Sequence, residues 1–226
     1  MRDEAEHKGD SQAVDLGARR GRGAAGVISV LELRRYTLKP GARETLVELF
    51  DREFVDSQEA LGMHILGTFR DLDDPDQFVW LRGFADLAGR APALQAFYSG
   101  PVWREHSAAA NETMEDVDNV LLLRPADGGP LLEVDARRRP PVGAPERDGV
   151  LTVAICPGDG DVDAVDAALG ESVLARFVTE PAENEFPALP VREDVDVVVW
   201  LAAGEHELPA GAERLRLRPT PRSLLP

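Results

Sequence analysis

Three short stretches of this sequence occur twice, in the same order. GTFRDL at 67–72 is echoed by ARFVTE at 175–180, FVWLRG at 78–83 by VVWLAA at 198–203, and LLLRPA at 121–126 by LRLRPT at 215–220. Each reads as a β-strand, with β-branched and aromatic residues in alternation. A chain that repeats its strands in order repeats a supersecondary unit, and that unit restricts the fold more than any other feature here.

The first copy shows the unit in full. VISVLELRRYTL (27–38) alternates as a strand, and Lys39, Pro40 and Gly41 form a turn. In ARETLVELFDREFVDSQEALG, the residues Leu46, Leu49, Phe50, Phe54 and Leu61 recur at helical spacing, and Gly62 is a suitable stop. MHILGTFRDL and FVWLRGFADL predict a strand hairpin turned by DDPDQ. A helical region from Ala88 to Asp116, broken at Gly100–Pro101, leads into a fourth strand, VDNVLLLRPA. The order β-α-β-β-α-β is the ferredoxin-like plan. Both helices cover one face of the sheet, so the other apolar face must meet a second sheet.

The second half offers that sheet. VLTVAIC predicts a strand, DVDAVDAALG a short helix with Asp161 as N-cap, and ESVLARFVTEP and VDVVVWLAAG a strand pair, with RLRLRPT closing. Only GEHELPAGAE stands where the first copy has its long second helix, so that helix is expected to be missing. NEFPALPVRE (184–193) is dense in turn residues; it reads as an ordered loop folding over a barrel end, with Arg192 and Glu193 as a latch. The expected organisation is a disordered leader at 1–26, a full domain at 27–125, a Pro/Gly/Arg-rich linker at 126–149 and a shortened domain at 150–226.

LELRRYTLKPG, FVWLRGFADLAGR, FYSGPVWREHSAAANETMEDVDNVLLLRP and ARFVTEPAENEFPALPVRE resemble tandem NIPSNAP-domain proteins. The resemblance runs from about Val30 to Pro125 and, with gaps, from about Val150 to Leu225. It implies an α+β fold in which two ferredoxin-like (βαββαβ) repeats, the second degenerate, pack face to face as a dimeric-α/β-barrel type of arrangement. Ligands of such barrels occupy the space between sheet and helices. The family carries no agreed catalytic set, so it assigns none here. The wider superfamily includes cofactor-free monooxygenases, small isomerases and cyclases, and haem enzymes.

Composition narrows the field. A net charge of −16 repels phosphate backbones and anionic leaflets, which argues against nucleic acid and membrane partners. No apolar run reaches the roughly 20 residues of a membrane helix. The single cysteine, Cys156, cannot form an internal disulfide and reads as a buried filler; with no hydrophobic leader segment, a cytoplasmic location is expected. The four histidines are scattered, and no cysteine pair, glycine-rich phosphate loop or zinc spacing is present, so no metal and no cofactor are expected. Haem would rest on His106 alone, and axial ligation also needs a large apolar cavity.

Several side chains are candidates for a site. At 100° per residue, Trp103, His106, Ser107, Ala110 and Met114 share one broad face. His106 is either a buried histidine satisfied by neighbouring groups or a general base facing a ligand. Strict alternation puts His64 with Leu66 and Thr68, opposite Ile65 and Phe69. If Phe69 meets the helices, His64 faces the barrel interior, where an imidazole could act catalytically; equally, His64 could take an edge position in water. Trp80, Arg82 and Phe84 share a face and could clasp a flat, partly anionic molecule; equally, Arg82 could serve a salt bridge. Tyr36 could add a phenol donor, Tyr98 and Trp103 are pocket-wall aromatics, and Asn111 lies to one side. His106 and His64 are thus the candidate catalytic pair, with Tyr36, Trp80, Arg82, Tyr98, Trp103 and Asn111 as ligand contacts.

Two functions remain open at this point. One is a cofactor-free enzyme of specialised metabolism that abstracts a proton from an aromatic or polyketide-like small molecule; for either function a homo-oligomer, a dimer, is expected. The other is a non-catalytic binding or assembly module.

Overall fold

The computed structural model describes residues 26–127 and 132–226. The elements run β1 (Gly26–Val27), β2 (Val30–Leu38), α1 (Arg43–Leu49), a π-helical turn (Phe50–Phe54), α2 (Val55–Glu59), β3 (His64–Asp71), β4 (Gln77–Phe84), α3 (Leu87–Tyr98), α4 (Pro101–Thr113) and β5 (Met114–Pro125). The second half continues with β6 (Glu133–Val134), β7 (Leu151–Pro157), α5 (Val162–Leu169), β8 (Val173–Thr179), β9 (Val197–Ala203) and β10 (Glu213–Pro219). The leader expected at 1–26 lies outside the described residues except for Gly26, which pairs with Val134.

The two halves build one closed barrel in the order β10-β3-β4-β2-β5-β8-β9-β7. Within the first half the order β3-β4-β2-β5 is that of a ferredoxin-like sheet, and β8-β9-β7-β10 repeats it in the second. The seams are related in the same way. Pro125 pairs with Phe177 where β5 meets β8, and Pro219 pairs with Phe69 where β10 meets β3. These four residues occupy corresponding places in the recurring stretches, so the duplication read from the sequence is a pseudo-twofold axis in space. Closure leaves the barrel sheet no free edge.

Both repeats also carry the same irregularity. The β3–β4 register shifts between Ile65 and Gly67, and the β8–β9 register shifts between Val173 and Ala175. A bulge of this kind turns side chains to the opposite face. It corrects the alternation expected for β3: Leu66 and Phe69 pack in the barrel interior, whereas Ile65 packs toward the helices and Thr68 bonds there. The interior is filled by both repeats, with Leu31, Leu33, Phe69, Leu81, Phe177 and Leu217 in one apolar cluster. Burying each such side chain contributes about 1.5–3 kcal/mol.

The helices cover the outside of the first repeat's sheet. The first helical run is not one regular helix, because the π turn at Phe50–Phe54 widens it. Phe50 and Phe54 then both face inward, their ring centroids 5.7 Å apart, and Asp51 is buried beside them. The Asp86 side chain caps α3 by accepting from the Gly89 N–H at 2.7 Å. Gly100 and Pro101 restart the chain as α4, with the proline in the first turn, where its missing N–H costs nothing. The helix expected to reach Asp116 stops at Thr113, and β5 begins at Met114.

The second repeat is thinner. Asp161 caps α5 by accepting from the Ala164 N–H at 3.0 Å. The connection at 204–212 contains no helix, as the sequence predicts. The linker holds the carboxyl-terminal tail: Arg139 donates to the Arg222 carbonyl at 2.6 Å, and Arg147 donates to the Ser223 carbonyl.

Candidate functional site

The layer between the first repeat's sheet and its helices contains charge as well as apolar side chains. Glu32 and Arg34 lie on β2, Arg82 on β4 and Arg90 on α3, and none exceeds 1% exposure. Glu32 is the hub. Its Oε2 accepts from Arg34 Nη1 at 3.0 Å and from Arg82 Nη2 at 2.6 Å, and its Oε1 accepts from Arg90 Nε at 2.7 Å. Burial alone would raise the Glu32 pKa, but the guanidinium groups of Arg82, Arg34 and Arg90 outweigh it and hold the carboxyl at about 2.

Aromatic rings enclose this cluster. Trp80 lies between two guanidinium groups, with the Arg82 carbon 4.9 Å and the Arg34 carbon 5.4 Å from its ring centroid. The Tyr36 hydroxyl accepts from Arg34 Nε at 3.0 Å. Burial would lower the Arg34 guanidinium pKa, but Tyr36 and Glu32 outweigh it and push it above its ordinary value. The Tyr36 phenol is itself pushed up by burial, with Arg34 opposing. Tyr98 packs on Trp103 at 4.8 Å between centroids, and Trp103 packs on Phe54 at 5.6 Å.

The second repeat covers this layer. Residues 180–196, which join β8 to β9, run along β5: the Glu180 N–H donates to the Leu122 carbonyl and the Arg192 N–H to the Val120 carbonyl, each at 2.8 Å. Asn184 Oδ1 accepts from Arg90 Nη1 at 2.9 Å, and Phe186 stacks on Tyr98 at 6.2 Å. The loop thus lies against the flank of the first repeat's sheet–helix layer. Arg192 does not latch to Glu193. It pairs with Asp194 at 2.9 Å, while Glu193 accepts from the Asn184 N–H at 3.3 Å.

Comparison of the repeats shows that the charge is specific to one of them. Register pairs Glu32 with Arg82 and Arg34 with Trp80 in the first repeat, and Thr152 with Ala202 and Ala154 with Trp200 in the second. Trp80 and Trp200 are therefore equivalent. Trp200 Nε1 donates to Asp166 at 2.6 Å, whereas Trp80 Nε1 is buried without a partner among the described residues.

Of the residues singled out in the sequence, Tyr36, Trp80 and Arg82 meet at this cluster, and Tyr98 and Trp103 form the aromatic wall that continues from it. Arg82 makes the salt bridge and stacks on Trp80 as well. His106 stands at the rim, its Nε2 3.5 Å from Glu53 Oε2 and its ring against Phe54. His64, at the start of β3, is half-buried; burial pushes its pKa down while Glu59 opposes. No contact joins the two imidazoles among the described residues, and Asn111 is exposed. Sequence reading missed Glu32, Arg34 and Arg90. A signal existed in LELRRY, where Glu32, Arg34 and Tyr36 share the face opposite Leu31 and Leu33, but such alternation also describes a strand with one wet face.

Two pockets lie against β5. One of about 260 Å³ lies under the covering loop, lined by Leu122, Thr179, Val191 and Arg192 among others, and Leu122 is the register partner of Glu32. The other, of about 190 Å³, opens near the barrel end between Arg35, Ile155, Arg192 and Glu213. Among the described residues no group of three or more His, Cys, Asp or Glu side chains could hold a metal ion, and no helix is long and apolar enough to cross a membrane.

The family model described as NIPSNAP matches residues 31–127. The first repeat is a NIPSNAP domain. The second repeat, which the sequence likens to the same family, lies outside the matched residues. A NIPSNAP family protein of unknown function from Agrobacterium tumefaciens is 23% identical, with 46% of this chain and 95% of that one covered and a TM-score of 0.43. Two structures cover both repeats. A putative monooxygenase from Lactobacillus acidophilus is 11% identical over 88% of this chain and 97% of its own, with a TM-score of 0.51. One from Fusobacterium nucleatum is 10% identical over 86% and 93%, with a TM-score of 0.54. At such identities these two establish the shared barrel fold of the NIPSNAP-domain chain. No curated protein matches the sequence.

Proposed function

We propose that this protein binds a small aromatic or polyketide-like molecule in the layer between the sheet and helices of its NIPSNAP domain. The observation that carries this reading is the meeting of Tyr36, Trp80 and Arg82 at one buried cluster, walled by Tyr98 and Trp103. Flat rings with a guanidinium group at hand suit a planar ligand with a polar edge. The bordering pocket of about 260 Å³ is smaller than the roughly 300–1,000 Å³ of drug-sized sites, so binding entails movement of the covering loop.

Cofactor-free chemistry of monooxygenase, isomerase or cyclase type is a second reading. It is favoured by His106, which sits on the rim with Glu53 at 3.5 Å and could be drawn inward as a base. A cytoplasmic setting in specialised metabolism belongs to the same proposal. So does a homodimer, which must use another surface because the barrel's edges are already paired within one chain.

Tryptophan fluorescence of the full chain titrated with 2-naphthol tests the binding reading. Saturable quenching that is lost in Trp80→Phe supports it, and a flat titration contradicts it. Light scattering of the purified chain tests the dimer.

A further inference from the structure

We infer that the ligand of this layer is a planar organic anion, whose carboxylate or enolate oxygens are received by Arg90 Nη2 and Trp80 Nε1. The inference rests on the proposed binding function and specifies its ligand class. Its first ground is charge. Arg34, Arg82 and Arg90 are all buried, and among the described residues Glu32 is the one carboxylate paired with them, so this cluster holds two more guanidinium groups than carboxylates. Gln58 donates no balancing charge; its Oε1 merely accepts from Arg82 Nη1 at 3.0 Å, and Asn184 is likewise neutral toward Arg90. Unbalanced buried charge is costly, and a protein of net charge −16 has carboxylates to spare that it has not placed here.

The second ground is directional. Arg90 makes two of its contacts, through Nε to Glu32 and Nη1 to Asn184, yet its Nη2 is buried with no partner among the described residues, the side chain being only 1% exposed. Trp80 Nε1 is another buried donor without an acceptor among the described residues. Both groups can only donate, so the missing partner is an acceptor. The equivalent donor in the second repeat has its acceptor in Asp166. Among the described residues the first repeat supplies no such acceptor, so we take the missing one to come with the ligand.

The third ground is access. Asn184, which holds Arg90 Nη1, belongs to the covering loop, and Phe186 of that loop stacks on Tyr98. The pocket beneath the loop reaches Leu122, one strand from Glu32. Lifting the loop therefore frees Arg90 Nη1, with Nε still held by Glu32, and uncovers Tyr98 in one movement, which suits a ligand with an anionic head on a flat frame.

The test uses the full chain with 2-naphthoate, its neutral counterpart 2-naphthamide, and inorganic phosphate, followed by calorimetry and tryptophan fluorescence. Binding of 2-naphthoate is expected, weakened at least about tenfold in Arg90→Gln, with 2-naphthamide bound more weakly and indifferent to that substitution. Asn184→Ala, which leaves the cluster's charges intact, is expected to keep the preference for naphthoate over naphthamide. Equal binding of naphthoate and naphthamide would overturn the anion while the small-molecule reading survives. Phosphate binding as tight as naphthoate would overturn the organic frame. Failure of both naphthyl probes would overturn this inference and the binding function together.

Discussion

Glu32 and Arg90 meet at 2.7 Å although one lies on β2 and the other on α3, 58 residues later. Helix and sheet of the NIPSNAP domain are thus joined by charge through the centre of the layer that separates them. Glu32 also serves Arg34 and Arg82, so its removal leaves three buried guanidinium groups without a counter-ion. Glu32→Gln is expected to destabilise the protein by about 3–5 kcal/mol in chemical unfolding. A loss below about 1 kcal/mol would mean the carboxylate is dispensable.

The same carboxylate gives an acid limb to stability. Its folded pKa, about 2, lies below the ordinary glutamate value, so its contribution is complete above about pH 4.5 and is lost as pH falls toward 2. Unfolding free energy measured between pH 5 and pH 2.5 should fall more steeply in the wild type than in Glu32→Gln.

Asp51 has the opposite sign. Burial pushes its pKa up to about 6, with Arg222 and Thr220 opposing. The folded state therefore prefers the protonated form, and that stability is lost as pH rises through 6. The carboxyl sits beside Thr68 and Thr220, whose hydroxyls are 2.5 Å apart, where the π turn, β3 and the tail meet. Asp51→Asn is expected to be more stable than the wild type by about 2–3 kcal/mol at pH 8, by about half that at pH 5, and nearly equal to it at about pH 3, below the ordinary aspartate value. Equal stabilities at pH 8 and at about pH 3 would contradict the shift.

The two seams should respond alike. Phe69 and Phe177 are at most 1% exposed and face Pro219 and Pro125 across the joints of the barrel. Phe69→Ala and Phe177→Ala are each expected to cost about 3–5 kcal/mol, with unfolding still a single transition because both repeats share one core. Separate transitions for the two halves would show that the barrel is not cooperative.

The covering loop should loosen without the barrel. Asn184 holds Arg90 Nη1, accepts from the Phe186 N–H and donates to the Leu189 carbonyl. Asn184→Ala is expected to speed hydrogen exchange of the Phe186 and Leu189 amides while global stability changes by about 1–2 kcal/mol. Unchanged exchange there would assign the loop's order to other contacts.

Much of the barrel was legible because repeated strands carry a strong signal. FVWLRG and VVWLAA share both alternation and register, and β-pairing preserves these. The face assignment of β3 was not legible, because one bulged residue near Leu66 reverses every parity that follows or precedes it. The extent of α4 misled for a related reason: Met114, Glu115 and Asp116 have no apolar alternation, and pairing with β2 makes them strand all the same. In the site, aromatic residues announced themselves, whereas Glu32 and Arg34 did not. Charges alternating with leucines look solvated until helices from distant sequence cover them.

The chain contains three tryptophans, so three indole N–H cross-peaks report on the site and on its repeat at once. Proton–nitrogen correlation spectra recorded across a 2-naphthoate titration compare Trp80, whose Nε1 has no partner among the described residues, with Trp200, whose Nε1 is held by Asp166. The expected result is a saturable downfield shift of the Trp80 peak with Trp200 stationary. A Trp80 peak that stays in place at saturation, or one that moves only together with Trp200, contradicts a ligand site in the NIPSNAP domain's sheet–helix layer.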